Sequence, residues 1–335
     1  MECSMESVRY IDRMPCSDQG RCVLLANPYA RRVEHATIAE AAGVLGLEGR
    51  AIRTVGRDGG IRALAEEAVR SGTPVLAVAG GDGTLHDVVQ VLAGSGTALA
   101  IIPLGTSNDL AGRIGLPRGV DGLRAVLDRP QVGALDLLNC GGVRVATVGG
   151  LGLPAYIADR CNHLRARPSL RPGITMLGRS IYTAVAAERI LRQGARTTAF
   201  TLRANDGPAT ALRASAILFG LTERFGGGMR LAPDGAIRSG TFAALFVTAK
   251  TQRGLLRTLM RIKLGRPVNG LATSHTGLTG LTLHTDGLVG TFGDGEWLGV
   301  RHRMAITVES RVLRVLLPRA CRKVVPAPAL LPEAV

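Results

Sequence analysis

The sequence predicts two domains of different class: an α/β domain with a parallel sheet and helices on both faces, then a mainly antiparallel β-sandwich domain. The chain has 335 residues, enough for two domains of roughly 150 residues each. Up to about residue 130, short apolar runs alternate with segments of helical periodicity, which is typical of a parallel sheet. Beyond that point, strand-like alternation dominates, as in antiparallel sheets. We therefore expect a flexible leader over 1–20, an α/β domain over 21–135, a β-rich domain over 136–317 and a tail over 318–335.

The first domain alternates strand and helix in the order that a parallel sheet requires. The fully apolar run from Pro74 to Ala79 predicts a strand that is buried on both faces, because helices cover both sides of such a sheet. Helical spacing places Ile38, Ala41 and Leu45 on one face of a helix. The predicted strands are 22–26, 50–55, 74–79 and 98–102, and the predicted helices are 33–45, 61–69 and 84–92.

The second half has the texture of an antiparallel β domain that is interrupted by two helices. Polar and apolar residues alternate in most of its segments, and turn residues separate them. The predicted strands are 132–139, 143–148, 198–203, 213–219, 241–247, 280–285 and 305–317, and the predicted helices are 180–193 and 251–264.

The net charge of +15 lies entirely in the second half of the chain. Residues 1–140 carry 14 Lys+Arg and 16 Asp+Glu, whereas residues 141–335 carry 27 and 10. A basic half predicts an anionic partner: nucleic acid, an acidic membrane surface or a phosphorylated ligand. A codon bias toward arginine is an alternative explanation for the total positive charge, but it does not explain why the excess lies in the second half of the chain. Only 3% of residues are aromatic and no recognition motif is present, which argues against nucleic acid.

Cysteine and hydropathy patterns exclude several classes of protein. None of the six cysteines forms a C-x-x-C pair and no His/Cys spacing predicts zinc, so we expect a reduced, cytoplasmic protein. The first 20 residues lack the apolar segment of a signal peptide. The uncharged stretch 88–108 is interrupted by Gly94, Gly96 and Pro103, so it is not a membrane span. Any membrane contact is expected to be peripheral.

A glycine-rich loop, Gly80-Gly-Asp-Gly-Thr84, follows the third predicted strand. Glycine lets the backbone come close to a ligand, and the next helix directs the positive end of its dipole toward the loop, so a phosphate fits there. Asp82 suits this position if Mg²⁺ bridges it to a phosphate, or if it accepts a proton. A plain strand-to-helix turn is the alternative.

The fourth predicted strand ends in a second polar loop, Pro103-Leu-Gly-Thr-Ser-Asn-Asp109. Because parallel strands open into a ligand crevice at their carboxyl ends, we expect the two loops to converge. Asn27-Pro28 and Thr54 follow the first and second strands at the same edge. The chain lacks the G-x-x-x-x-G-K-[ST] pattern, so the expected site is not of the Walker type.

Together these motifs resemble the diacylglycerol kinase catalytic family, which includes sphingosine and ceramide kinases, bacterial lipid kinases and, more distantly, NAD kinases. GGDGT at 80–84 and PLGTSNDLA at 103–111 carry the resemblance. In the second half, Asp136, the segment 225–233 and Asp294-Gly-Glu296 are similar to further family motifs. The resemblance covers roughly residues 20–317. It implies a two-domain kinase that transfers the γ-phosphate of ATP to a hydroxyl of diacylglycerol or a related lipid, with Mg²⁺.

The resemblance also implies roles for residues of this chain by position. Glu296 matches the proton acceptor for the lipid hydroxyl, and Asp82 is its rival, because the corresponding aspartate has that role in sphingosine kinases. Asp82, Asp109 and Asp136 match acidic residues proposed to act through Mg²⁺ and water. The residues that match ATP contacts are Asn27, Pro28, Tyr29, Ala30, Arg31, Thr54, Gly80, Gly81, Asp82, Gly83, Thr84, Leu85, His86, Thr106 and Asn108.

The sequence departs from the family pattern in three places. The loop after the first predicted strand, Asn27-Pro-Tyr-Ala-Arg31, lacks the glycine that is usual in the family. Its contacts with phosphate are therefore altered, or an arginine side chain replaces the backbone contacts. Ser239 replaces an aspartate of a structural Mg²⁺ site, which we therefore expect to be absent. Asp87 replaces a glutamate, which is a mild change. Two alternatives stay open: a non-catalytic nucleotide- or lipid-binding homologue, and a kinase acting on NAD or another soluble alcohol.

Part of the basic surplus lies in the segment 251–264, where Arg253, Arg257 and Arg261 recur every four residues. This pattern predicts a basic amphipathic helix, suited either to an anionic membrane surface or to packing on the sandwich with a solvated arginine face. The segment 160–171 is a second basic candidate. We expect a cytoplasmic, peripherally membrane-associated protein with a lipid substrate and no nucleic acid. The sequence does not indicate which lipid is phosphorylated or whether the protein forms a homodimer.

Overall fold

The structure, a computed structural model, describes residues 22–28, 35–56, 60–128, 130–167, 180–225, 229–232, 237–266, 268 and 270–318. Contacts between Cα atoms divide the chain into two compact units. The first contains the described residues up to Asp136 and those from Ser310 onward, and the second is Leu137–Glu309. The last strand thus returns to the first unit, whereas the sequence pattern placed it in the second domain.

The first unit is built on a parallel sheet. Strands β2, β1, β3 and β4 are neighbours in that order, and Val315 near the end of β16 pairs in parallel with Leu99 of β4. Every residue of β3 and β4 is buried, as the apolar runs predicted. The strands are β1 (Cys22–Ala26), β2 (Ile52–Thr54), β3 (Val75–Gly80), β4 (Ala98–Pro103), β5 (Gln131–Cys140) and β16 (Glu296–Leu317), the last two continuing into the second unit.

Five described helices cover this sheet. Helix α1 packs with α5, and α2 packs with α3. Ile38, Ala41 and Leu45 of α1 are buried together, as helical spacing predicted. Their bounds are α1 (His35–Leu45), α2 (Ile61–Arg70), α3 (Asp82–Leu92), α4 (Asp109–Arg113) and α5 (Val120–Leu127), and a 3₁₀ turn spans Gly49–Ala51. The parallel strands alternate with these helices along the chain, so the predicted α/β class of the first domain is confirmed.

The second unit is built on antiparallel strands in the order β14, β13, β10, β7, β15 and β16, with β8 and β9 added to β15 at its other end. Buried side chains of these strands form a continuous core that includes Phe219, Phe242 and Phe246. The predicted sandwich class is confirmed. The strands are β6 (Val143–Val145), β7 (Val148–Gly152), β8 (Thr198–Ala204), β9 (Thr210–Ala214), β10 (Ala216–Gly220), β11 (Arg224–Phe225), β12 (Met229–Arg230), β13 (Phe242–Val247), β14 (Ala272–Leu278) and β15 (Gly280–Gly293).

Three described helices form a layer on this unit: α6 (Leu153–Ala166), α7 (Ser180–Gln193) and α8 (Gln252–Lys263). Helix α7 packs against both α6 and α8. Ala155 of α6 and Ile262 of α8 share a buried cluster with Phe292 of β15, so both helices lie on one face of the sheet. None of the helices in the described residues combines the length and the apolar composition needed to span a bilayer.

Helix α6 was not expected from the sequence pattern. Pro154 follows Gly152 closely, a combination that usually breaks regular structure, but proline is tolerated in the first helical turn because its missing N–H has no partner there. Helix α5 and strands β9 and β14 were also not predicted, whereas the helix expected after the loop at Asp109 is present as α4. The helices predicted over 180–193 and 251–264 are present as α7 and α8.

Candidate functional site

The glycine-rich loop links β3 directly to α3. Helix α3 begins at Asp82, two residues earlier than its apolar pattern predicted, so the loop supplies the first turn of the helix. A Cβ at Gly80 would come 2.7 Å from Cβ of Thr84, which only glycine avoids. Backbone N–H groups in this turn have no partner within the helix and carry its positive dipole end. The geometry is that of an anion-binding turn.

The second loop, between β4 and α4, is closed by its own asparagine. Asn108 has a left-handed backbone (φ 52°) and is almost fully buried. Its Oδ1 accepts a hydrogen bond from the N–H of Gly105 at 2.8 Å, and its Nδ2 donates to the carbonyl of Gly105 at 2.9 Å. Asparagine tolerates this backbone conformation better than most residues. Asn108 therefore shapes this loop.

The structure brings the two loops into direct contact. The N–H of Leu104 donates to the carbonyl of Gly80 at 2.9 Å. A Cβ placed on Gly105 would come 2.7 Å from Cα of Gly81, so the two backbones approach more closely than any side chain permits. The convergence that was expected from the parallel sheet is therefore present within the first unit.

The Asp82 side chain bridges the loops. Its Oδ2 accepts a hydrogen bond from the N–H of Asn108, and its Oδ1 accepts one from the N–H of Asp109, both at 2.8 Å. A carboxylate that accepts backbone N–H groups on both oxygens forms charge-assisted hydrogen bonds, which are stronger than neutral ones. Asp82 thus fixes the start of α4 against the start of α3.

Other predicted nucleotide contacts lie around these loops. Asn27 Nδ2 donates to Oγ1 of Thr84 at 3.2 Å, which ties the end of β1 to the first turn of α3. Thr54 is exposed at the end of β2, beside Ala26. The carbonyl of Thr106 accepts from Nη2 of Arg118 at 3.2 Å. Pro28 is described, whereas residues 29–31 lie outside the described part of the chain.

Leu85 and His86 are buried in α3, with the histidine 9% exposed. Their side chains therefore contribute to packing, and only their backbone belongs to the turn. Gly83 lies in the same turn. Sequence matching does not separate backbone contacts of this kind from side-chain contacts.

Asp136 has a clear structural role in the first unit. Its Oδ1 accepts a hydrogen bond from the N–H of Arg311 at 2.8 Å, and its carbonyl accepts from Nη1 of Arg113 at 3.0 Å. Arg311 has a left-handed backbone (φ 55°) within β16, so Asp136 stabilises a strained position of this strand. Within the described ranges, no group of three or more His, Cys, Asp or Glu side chains is arranged to hold a metal ion. The set of Asp82, Asp109 and Asp136 stays a prediction.

The second unit holds Glu296 just after a tight turn. Asp294 and Gly295 form a two-residue loop between β15 and β16 with positive φ at both positions (52° and 87°), as a type I′ hairpin turn requires. The Asp294 carboxylate accepts from the N–H groups of Ala146 and Thr147 at 2.9 and 2.8 Å, and from Oγ1 of Thr147 at 2.6 Å. Asp294 therefore anchors the turn.

Helix α6 also holds this turn. Asn162 Nδ2 donates to the carbonyl of Gly295 at 2.9 Å. Glu296 pairs with Gly293 as the first residue of β16 and is half-buried. Sequence reasoning missed Asn162, because a single helical asparagine does not indicate which distant carbonyl it contacts. Two neighbouring side chains thus fix the backbone that presents Glu296.

The segment with Ser239 is only partly described, since residues 226–228 and 233–236 lie outside the described ranges. Ser239 and Gly240 form a turn that Thr241 closes, its Oγ1 donating to the carbonyl of Arg238 at 2.9 Å. The expected absence of a structural Mg²⁺ site here stays a prediction.

Comparisons with known proteins cover nearly the whole chain. Residues 21–140 match the family profile of the diacylglycerol kinase catalytic domain, and residues 151–317 match that of the YegS C-terminal NAD kinase beta sandwich-like domain. The chain is 27% identical to a diacylglycerol kinase of Mycobacterium tuberculosis (strain ATCC 25618 / H37Rv) over 288 residues, which is 80% of this chain and 88% of that protein. It is 26% identical to a diacylglycerol kinase of Bacillus subtilis (strain 168), over 70% of this chain and 75% of that one.

A solved structure gives the same result for the fold. A diacylglycerol kinase from Bacillus anthracis superimposes with a TM-score of 0.66 at 16% sequence identity, covering 90% of this chain and 98% of that one. At such low identity the likeness shows the fold alone.

Proposed function

Because the chain belongs to the diacylglycerol kinase catalytic family, we propose that it is an ATP-dependent lipid kinase that phosphorylates a hydroxyl of diacylglycerol or a related lipid. The observation that carries the proposal is the Asp82 bridge. It fixes the two polar loops of the first unit against each other. A plain strand-to-helix turn would not require this side-chain bridge to a second loop, so the arrangement supports a built site.

The first turn of α3 is suited to the phosphates of ATP. Its N–H groups and the dipole of an 11-residue helix favour negative charge. Gly80 and Gly81 add no side chain that would keep a phosphate away from the backbone. Asn27 and Thr54 stand at the ends of the neighbouring strands β1 and β2. We assign the nucleotide to this edge of the parallel sheet.

Carboxylate oxygens at this edge suit Mg²⁺, a hard cation that prefers oxygen ligands and keeps several of its waters. Asp82 and Asp109 would hold it, and Asp136 is the third member of the set that the family resemblance implies. When bound, the ion neutralises charge on the phosphates during transfer. The residues of the chain position the nucleotide and orient the acceptor hydroxyl.

Glu296 is our candidate for the proton acceptor. An alcohol is a weak nucleophile at neutral pH, so a carboxylate must orient it and take its proton. Both oxygens of Asp82 already accept backbone N–H groups, which favours a positioning role for Asp82. The backbone at Glu296 is fixed by Asp294 and Asn162. The structural role of Asp82 supports Glu296, which the family resemblance matches to the proton acceptor.

We further propose a cytoplasmic protein that binds membranes peripherally through helix α8. The side chains of Arg253 and Arg257 are exposed on this helix, while Leu255 and Ile262 are buried beneath it. Thr251 caps the helix, its Oγ1 accepting from the N–H of Gly254 at 3.1 Å. The apolar face of α8 packs on the second unit, as the alternative interpretation of this segment expected. Contact with an anionic surface would therefore be made by the exposed arginines.

A lipid-panel assay tests the proposed function. Purified protein, labelled ATP and Mg²⁺ are incubated with vesicles that contain diacylglycerol, a sphingoid base or ceramide, and separately with NAD in the absence of lipid. The proposal expects label in at least one lipid and none in NAD. Label in NAD alone would assign the site to a soluble alcohol, and no labelled acceptor would favour a non-catalytic homologue.

A further inference from the structure

Three apolar side chains are exposed together on the hairpin of β15 and β16. Leu288 is 61% exposed, Val300 52% and Trp297 43%. These three residues, the hairpin patch, include the only tryptophan of the chain. Trp297 directly follows Glu296. A group of large apolar side chains in water is unusual enough to indicate a binding surface.

The three side chains lie on the same face of the hairpin. A Cβ at Gly290 would come 2.6 Å from Cη2 of Trp297, so the indole ring lies over Gly290. Val300 pairs directly with Gly290 across the strands. Leu288 stands two residues from Gly290, and Val289 between them points into the sandwich core. The patch is therefore on the face opposite the sandwich core.

This face also carries the helix layer. The same Cβ at Gly290 would come 3.5 Å from Cβ of Ala155 on α6. Ala155 and Ile262 of α8 belong to one buried cluster. The hairpin patch and helix α8, with its exposed arginines, thus lie on one face of the sheet of the second unit.

We propose that the hairpin patch inserts into the headgroup region of an anionic lipid bilayer. Tryptophan and aliphatic side chains prefer this boundary, because the ring is apolar and its N–H stays hydrated. The unit from Leu137 to Glu309 carries 22 Lys+Arg and 9 Asp+Glu. An anionic bilayer attracts such a unit, whereas a second copy of it is repelled.

The charge of the whole unit, not that of the residues nearest the patch, favours an anionic surface. Near the patch, Arg301 and Arg303 are matched by Asp286 and Glu296. Bilayer insertion itself needs no kinase activity. Its consequence, that Glu296 is held at the lipid surface where an acceptor hydroxyl is found, rests on the proposed function.

The single tryptophan provides the test without any label. Protein without ATP is mixed with vesicles of phosphatidylcholine and phosphatidylglycerol, and with matched vesicles whose phosphatidylcholine is brominated on its acyl chains. We expect the emission of Trp297 to shift to shorter wavelength and to be quenched by the brominated lipid. Vesicles of phosphatidylcholine alone should give a weaker response. Protein that sediments with vesicles while its emission stays unchanged would overturn the proposal, as would protein that does not bind vesicles.

Two leucines make a matched pair of variants. Leu288 and Leu191 are both 61% exposed, and Leu191 lies near the end of α7. Leu288→Ala should lower vesicle affinity about tenfold, from the apolar area no longer buried, and Leu191→Ala should leave it unchanged. An equal loss in both variants would overturn the proposal. An emission shift that depends on protein concentration without vesicles would do so too, because a second copy would then cover the patch.

The vesicle assay and the kinase assay fail separately. Quenching of Trp297 without phosphorylation of any lipid would remove the proposed function and leave the docking surface in place. Lipid phosphorylation without quenching of Trp297 would remove the docking surface and leave the proposed function in place.

Discussion

Asp82 in the first unit and Glu296 in the second lie in two carboxylate-bearing turns that are built in different ways. In the first turn, the side chain of Asp82, which the family motif contains, itself joins the two loops. Both of its oxygens accept hydrogen bonds from backbone N–H groups of the second loop. In the second turn, two other residues hold the backbone next to Glu296. They are Asp294, two residues before it in the sequence, and Asn162 of helix α6. The difference teaches that an acidic motif can contain carboxylates with structural roles, which the hydrogen bonds of Asp82 and Asp294 identify.

The largest expected effect is that of Glu296→Gln. The amide keeps the size of the side chain but cannot accept the hydroxyl proton, so lipid phosphorylation should fall by about 10²–10⁴-fold. ATP affinity, measured by calorimetry, should stay unchanged. Full turnover in this variant would break the comparison, because Glu296 would then be as structural as its neighbours.

The second variant, Asp82→Asn, probes the other turn. An amide NH₂ would face one of the two N–H donors of Asn108 and Asp109, which leaves that N–H without an acceptor and costs about 1–3 kcal/mol. We expect ATP affinity to fall by about tenfold or more and the unfolding temperature to drop. Calorimetric titration and thermal unfolding measure the two effects. Unaltered ATP affinity and stability with lost turnover would instead identify Asp82 as the base.

The third variant separates loop contact from carboxylate chemistry. Gly105→Ala places a Cβ 2.7 Å from Cα of Gly81, and overpacking of this kind costs about 1–3 kcal/mol. ATP affinity and the free energy of unfolding should both decrease, although no charged group is altered. Gly112→Ala in α4 is the control, since its Cβ would meet no atom within 4 Å. Equal ATP affinity and equal stability in the two variants would show that neither property depends on close contact between the loops.

The sequence predicted the loops of the first unit because strand alternation alone determines where they lie. Once β3 and β4 were identified from their apolar runs, GGDGT and PLGTSND had to meet at one sheet edge. The turn of Asp294 and Gly295 carries an equally local signal, since Asp-Gly between strands favours a type I′ hairpin.

The contacts made by the candidate site residues and their surroundings could not be predicted in the same way. Asn162 meets the carbonyl of Gly295, 133 residues away in the chain, and Asp136 meets the N–H of Arg311, 175 residues away. Such pairings depend on how whole elements pack, which local periodicity does not encode. Helix α6, which carries Asn162, was missed altogether, because its apolar face is poorly defined and Pro154 lies at its start.

Glu309 provides the smallest test and a baseline for a carboxylate with a structural role. Burial alone would raise the pKa of Glu309, but hydrogen bonds from Arg144 Nε and Asn139 Nδ2, both at 2.7 Å, outweigh it, and the pKa lies below its usual value of 4.5. A lowered pKa means that the carboxylate stabilises the fold above pH 4.5 and that this contribution is lost as the pH falls through the lowered value.

Glu309→Gln should therefore decrease stability by about 1 kcal/mol at neutral pH and flatten the decline of stability in acid. Denaturant unfolding between pH 7 and pH 3 measures both effects. Turnover and ATP affinity should not change, in contrast to the variants of Asp82 and Glu296. An acid profile identical to that of the unmodified protein would show that the side-chain donors contribute nothing to Glu309.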